Sequence, residues 1–375
     1  MANKSATESP VKTLKISISG VRGVIGDTLT PELLSSFSES FGTYLDGGLV
    51  VIGRDTRTSG EMVSYAVVAG LTSSGCAVID LGIVPVPTVQ MMVRHFRARG
   101  GIAITASHNP AQWNALKFIR DDGCFLNNHQ ARDLLGIYHQ GEVRRAPAGM
   151  IPSPLKVQGT TKLHAEAIIE KFGKLKGKKL RVAVDCVNGA GSVMSPGFLR
   201  ELGCDVVELH TEPDGHFPRP PEPLPQNLKK LCETVRKEKA DIGFAQDADA
   251  DRLAIVDERG KPIGEEYTLA IAVDFVLRRE KGTVVVNLST SRAIDDIAAN
   301  HKCKIVRTKI GEINVVERMK SEDAVIGGEG NGGVIYPAVN YGRDSFVGMA
   351  IVLHHVKQSR KKISALAASL PQYKM

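Results

Sequence analysis

Short β-rich runs alternate with amphipathic segments along almost the whole of this 375-residue chain. Candidate strands cover 49–52, 77–81, 102–105, 180–185, 205–209, 241–245, 252–257, 283–287, 304–307, 324–327 and 333–336. Helical periodicity falls between them at 31–45, 60–74, 88–99, 162–172, 226–238, 265–279 and 291–299. Parallel strands need a crossover long enough to hold a helix, so this spacing predicts α/β domains with mixed, mostly parallel sheets. The length allows two or three such domains, each with its own core. Boundaries are expected at 141–160, rich in Pro and Gly and without periodicity, and at the Asp257–Pro262 turn. The expected division is 1–155, 156–258 and 259–375. Each segment carries one unusual loop beside a strand, which points to a cleft shared by three domains, since ligands gather at the carboxyl ends of strands.

The loop Gln246-Asp247-Ala248-Asp249-Ala250-Asp251-Arg252 follows the apolar strand DIGFA. Three carboxylates at alternate positions repel one another unless a hard cation joins them, and oxygen ligands select Mg²⁺ or Ca²⁺ over zinc. Small Ala248 and Ala250 let the loop wrap tightly. An EF-hand also begins DxDxD, but its sixth position needs Gly and here holds Arg252. A solvated acidic turn, or a phosphatase whose Asp attacks phosphate, are the other readings.

Thr105-Ala106-Ser107-His108-Asn109-Pro110 follows the strand GIAIT. By composition it is a capped turn; as chemistry it places a serine nucleophile beside His108, outside any G-x-S-x-G elbow. Lys117 follows closely and can carry a proton if its pKa is lowered. Arg22 in SGVRGV and Arg54, Asp55 and Arg57 in GRDTR stand beside glycines, and such arginines suit bidentate phosphate contacts.

These loops, with Gly328-Glu329-Gly330-Asn331-Gly332-Gly333, occur in an order and spacing that resembles the α-D-phosphohexomutase family of phosphoglucomutases, phosphomannomutases and phosphoglucosamine mutases. GVRG, GRDTR, the QNL segment near 228 and RTKIGE at Arg307–Glu312 extend the likeness from Leu14 onward, closest to the archaeal-type phosphoglucosamine mutase pattern. The resemblance implies that Ser107 is a phosphoserine and that Ser107, Asp247, Asp249 and Asp251 hold Mg²⁺. His108 and Lys117 would move protons and Arg252 would steady the phosphoryl group. Arg22, Arg54, Lys309, Gly311, Glu329, Asn331 and Arg343 would bind the substrate. The implied activity interconverts hexose 1-phosphate and hexose 6-phosphate through a bisphosphorylated sugar, with a glucose 1,6-bisphosphate-type activator. Asn331 stands where many relatives have Ser, Gly333 where others have His, and Ala115 where relatives usually have Gly.

The family's R-x-S-G-T-E-P phosphate clamp is not in this sequence, so the resemblance predicts three domains with the fourth absent. That makes a sugar-phosphate-binding protein with little turnover the alternative function. Formal charge is +7, yet the basic runs 174–181 and 357–362 hold no interleaved aromatics and aromatics total 5%. Both runs read as solvated faces rather than nucleic-acid surfaces. Six widely spaced cysteines without a CxxC pair predict reduced, buried thiols and a cytoplasmic protein. The first residues form no apolar signal segment and no run approaches a membrane span. A homo-oligomer is compatible with all of this.

Overall fold

The computed structural model of the protein describes residues 13–17 and 20–373. The first sheet has seven strands in the order Lys15–Ser17, Gly20–Val24, Trp113–Arg120, Gly100–Ile104, Gly48–Arg54, Cys76–Ile83 and Leu155–Lys156. Its centre is parallel, while Trp113–Arg120 runs antiparallel to both of its neighbours. The second sheet orders Leu253–Val256, Ile242–Gln246, Arg181–Asp185 and Asp205–Leu209. The third orders Ile305–Thr308, Val284–Asn287, Ile326–Glu329, Gly333–Tyr336 and Asn340–Arg343. The expected α/β class, with mixed sheets and flanking helices, is what the chain forms.

Helix starts follow local chemistry. Pro31–Tyr44 begins with Pro at its first position, and the Thr30 side chain accepts the Leu33 amide. Asn127 and Gln130 close a reciprocal capping box on Asn128–Gln140. Asp344 caps Ser345–Ser359 through the Phe346 and Val347 amides, and its other oxygen meets His164 Nε2 at 2.8 Å.

The first sheet buries apolar side chains on each face, in separate clusters around Phe41 and around Val93. The second and third sheets share one continuous core, running from Val184 and Phe198 through Leu269 to Val286 and Phe346. That shared core fixes the aspartate loop against the third sheet. Burying apolar surface at about 25 cal/mol per Å² makes such a joint far stiffer than a polar domain contact. All six cysteines are free thiols, five of them buried. Among the described residues no helix is long and apolar enough to cross a membrane.

The strands Gly20–Val24, Trp113–Arg120 and Asn340–Arg343 lie where the sequence pattern placed none. So do the helices Asn128–Gln140, Ser195–Leu202, Glu312–Ser321 and Ser345–Ser359. Two of these omissions matter for the site, because Trp113–Arg120 carries Lys117 and Asn340–Arg343 carries Arg343.

Candidate active site

Strand Gly100–Ile104 delivers Thr105-Ala106-Ser107 from its carboxyl end. Ser107 has φ 50°, a left-handed conformation that strains any residue with a Cβ. Its surroundings hold it there. The Ser107 amide donates to Thr105 Oγ1 at 2.9 Å, and Thr105 Oγ1 donates to Asp55 Oδ2 at 2.6 Å. Arg57, 1% exposed, donates to the carbonyls of Ser107, Asn109, Pro110 and Trp113 at 2.6–2.9 Å, and its Nε pairs with Asp55 at 3.0 Å. Here the structure corrects the reading of Arg57 as a phosphate grip. Its donors are spent on the loop, so it is scaffold.

Strand Ile242–Gln246 delivers the aspartate loop in the same way, and all three carboxylates are buried. One oxygen of each is held by the protein. Asp247 Oδ1 accepts the Asp251 and Arg252 amides, Asp249 Oδ2 accepts from Lys117 Nζ at 2.8 Å, and Asp251 Oδ2 accepts from Arg343 Nη2 at 2.6 Å. The other oxygens remain free of protein bonds or face the serine: Asp249 Oδ1 and Asp251 Oδ1 are buried without a partner, and Asp247 Oδ2 accepts from Ser107 Oγ at 2.8 Å. Ligand atoms of the three residues lie within 4.8 Å of one another. Buried oxygens left unbonded cost free energy, and an all-oxygen set of this size fits a hard dication. Burial and the charges of Asp249 and Asp251 push the Asp247 carboxyl well above the usual range. Burial acts the same way on Asp249, but the Lys117 ammonium outweighs it and holds that carboxyl low.

These loops open on a cavity of about 230 Å³ lined by groups from all three sheets. Arg22, Ser107, His108 and Lys117 come from the first, Arg252 from the second, and Gly311, Glu312, Glu329, Asn331 and Arg343 from the third. Phe125, Leu126, Ile310 and Ile313 form its apolar wall. His108 Nδ1 lies 3.4 Å from Ser107 Oγ, and burial together with the Arg252 charge pulls the imidazole down to about 4. Arg22 Nη1 donates to Asn109 Oδ1 at 2.7 Å. Arg343 joins three carboxylates, Asp251, Glu329 and Glu312, the last two at 3.0 Å each. A Cβ at Gly330 would displace the Glu266 carboxylate, which would lie 2.1 Å away.

The models of phosphoglucomutase/phosphomannomutase alpha/beta/alpha domains I, II and III match residues 14–145, 162–260 and 264–373. The chain belongs to this family. It is 42% identical to a phosphoglucomutase/phosphomannomutase of Thermococcus kodakarensis, over 94% of this chain and 79% of that protein. It is 38% identical to a probable phosphoglucosamine mutase of Methanopyrus kandleri, over 95% of this chain and 78% of that one. A crystal structure of a phosphoglucomutase/phosphomannomutase family protein from Burkholderia thailandensis superposes with a TM-score of 0.85 at 26% identity, covering 98% of this chain and 81% of that one. As a member of the phosphoglucomutase/phosphomannomutase family, the protein is a phosphohexomutase, an intramolecular phosphotransferase.

Within this phosphohexomutase, the fold gathers Ser107, His108, Lys117, Arg252, Arg22, Gly311, Glu329, Asn331 and Arg343 around one cavity, with the aspartate triad bonded behind Ser107, Lys117 and Arg343. Arg54 and Lys309 are not on its wall. Arg54 folds over the start of helix Gly60–Ser73, its Nη1 on the Asp55 carbonyl, and Lys309 is exposed at a loop tip beside Ile310. Sequence reasoning did not single out Glu312, whose carboxyl burial pushes up, nor the apolar wall. Glu312 was legible as the last residue of RTKIGE; Phe125 and Leu126 carried no local signal.

Proposed function

We propose that this phosphohexomutase interconverts hexose 1-phosphate and hexose 6-phosphate through a phosphorylated Ser107 and a bisphosphorylated sugar. One observation carries the reading: Ser107 Oγ rests on Asp247 Oδ2 while the free oxygens of Asp249 and Asp251 lie close by. A phosphoryl group there adds roughly −1.5 to −2 charges to three carboxylates, an arrangement that stands only with a dication present. Ser107, Asp247, Asp249 and Asp251 would hold Mg²⁺, which when bound supplies charge neutralisation at the transferring phosphoryl.

The remaining roles belong to side chains. Arg252 Nε, buried and without a hydrogen-bond partner, is placed to donate to the phosphoryl oxygens. The free sugar hydroxyl forms the new P–O bond as the bond to Ser107 Oγ breaks. The hydroxyl's proton leaves to a nearby base, His108 being unprotonated at neutral pH in the unphosphorylated site. Ser107 Oγ takes up a proton as the phosphoryl departs, with Lys117 on the same cavity wall. Glu329 and Asn331 face sugar hydroxyls, and Arg22 faces anionic groups of the substrate. After the sugar turns over, its other phosphate returns to Ser107, so a sugar bisphosphate of the glucose 1,6-bisphosphate type would prime an unphosphorylated enzyme. Likeness to the phosphoglucosamine mutase and phosphoglucomutase/phosphomannomutase relatives supports a substrate among glucosamine, glucose and mannose phosphates.

Intact mass is the test. Protein primed with glucose 1,6-bisphosphate should carry one phosphoryl group, absent in Ser107→Ala. Turnover persisting in Ser107→Ala would refute the covalent route.

A further inference from the structure

The two basic runs, far apart in sequence and each read there as a solvated face, meet in the fold. Lys357 Nζ donates to the Lys178 carbonyl at 2.6 Å. Together the runs line a groove of about 430 Å³ that carries Lys178, Lys179, Lys357, Arg360, Lys361 and Lys362. Two carboxylates reach it, and both are already engaged. Asp241 accepts the Arg181 amide, and Glu258 accepts the amide and hydroxyl of Ser364. Among the described residues none of the six cations forms an ion pair.

An adjoining cavity of about 920 Å³ shares Lys178, Lys179 and Asp241 and adds Arg181, Arg200, Lys239 and Asp205. Nine cations line these walls against Asp205, Asp241 and Glu258, and Glu238 and Glu208 pair with Arg181 and Arg200, which leaves an excess of four. Like charges at such density repel, and an anion relieves them.

We propose that this groove is a binding site for a linear polyphosphate, recognised by its row of charges. Three features choose that chemistry. Six of the nine cations are lysines, whose ammonium groups bind phosphate oxygens as point charges without a fixed approach. The arginines Arg181 and Arg200 are occupied by Glu238 and Glu208, so the lysines and Arg360 hold the free charge. No aromatic ring lines either cavity, so nothing there stacks a base.

The groove is separate from the hexose phosphate site. Leu180 and Asp241 precede strands Arg181–Asp185 and Ile242–Gln246, whereas the aspartate loop follows the second of these. Five residues of strand, at about 3.3 Å each, put roughly 17 Å between the two ends.

Calorimetric titration of the full chain with tripolyphosphate, with glucose 1-phosphate saturating the catalytic cavity, tests this. The expected result is one saturable site whose affinity exceeds that of orthophosphate and falls steeply with added salt. Lys178→Glu/Lys361→Glu should weaken binding by about tenfold or more, Lys178→Gln/Lys361→Gln by less, both with unchanged mutase turnover. Ser107→Ala should bind tripolyphosphate normally, which separates this claim from the phosphoserine reading. Absence of saturation, equal binding by the charge-reversed variant, or binding of ATP tighter than tripolyphosphate would each overturn the proposal. So would recruitment to phosphatidylserine vesicles without tripolyphosphate binding.

Discussion

Lys117 occupies a strand position that ought to be apolar. It pairs in register with Ala103 and is 5% exposed, so its ammonium exists there only because Asp249 and Asp251 lie at 2.8 and 3.9 Å. The ion pair orients Asp249, keeping its other oxygen turned to the proposed dication, as outer partners of metal ligands do. Lys117→Met should therefore lower Mg²⁺ affinity by about 10- to 100-fold, read calorimetrically on Ser107→Ala protein so that turnover plays no part. Unchanged affinity would leave Lys117 to proton transfer alone. Arg57 poses the same question for the serine loop. Removing it as Arg57→Ala strands buried Asp55 and four carbonyls, and should cost about 3–5 kcal/mol in chemical denaturation. Arg57→Lys keeps a charge but cannot span those acceptors, so it should fall between.

Among whole elements, the contact between the first and third sheets combines an apolar cluster around Cys124 and Met319 with a network of charges. Arg120, at the end of strand Trp113–Arg120, pairs with Asp122 and with Glu317 of helix Glu312–Ser321, and Lys320 of that helix returns to Asp122. Burial pushes the Asp122 carboxyl up, but hydrogen bonds from Arg120 and Lys320 outweigh it and bring it down to about 2 from an ordinary 3.8. A carboxylate with a lowered folded pKa contributes stability above its unfolded value and loses it as pH falls through the folded one. The contribution of Asp122 is thus present above about pH 4 and fades toward pH 2. Denaturation of wild type and Asp122→Asn should differ at pH 6 and converge by pH 2, and a constant difference would remove Asp122 from the interface. The same elements show what a sequence conceals. Strand Trp113–Arg120 is buried at every interior position, and helix Ser345–Ser359 is buried from Ser345 through Leu353. Neither has a polar face, so neither shows the period of 2 or 3.6 by which half-exposed elements are recognised. The aspartate loop stood out because three carboxylates at alternate positions are costly without a cation, whereas the serine and glycine-rich loops read as turns by composition and stood out only through their order and spacing. Arg54 and Lys309 lie off the cavity wall, and adjacency to a motif says nothing of where a long side chain turns.

On the scale of the molecule, three sheets bring separate groups to one cavity, and Arg343 is where two of its jobs touch. Its guanidinium holds Asp251 of the proposed metal set, Glu329 of the third sheet and Glu312 beside that sheet, while all three carboxylates raise its own pKa against burial. A dication drawing on Asp251 weakens that carboxylate's hold on Arg343 and strengthens the guanidinium's grip on Glu329 and Glu312. The order of the sugar loop then depends on the metal, and by reciprocity metal affinity depends on the sugar. Direct attraction between dication and sugar phosphate adds coupling that Arg343 does not carry, so the comparison must be with a variant. In a Ser107→Ala background, glucose 1-phosphate should tighten Mg²⁺ binding by a factor in the range of about 5 to 150. Arg343→Lys, whose ammonium cannot bridge three carboxylates, should bring that factor severalfold closer to one. Calorimetry of each ligand with and without the other measures both arms of the cycle. If the factor is the same in Arg343→Lys as in its parent, the two sites communicate only through the bound phosphate, and Arg343 is a structural tie.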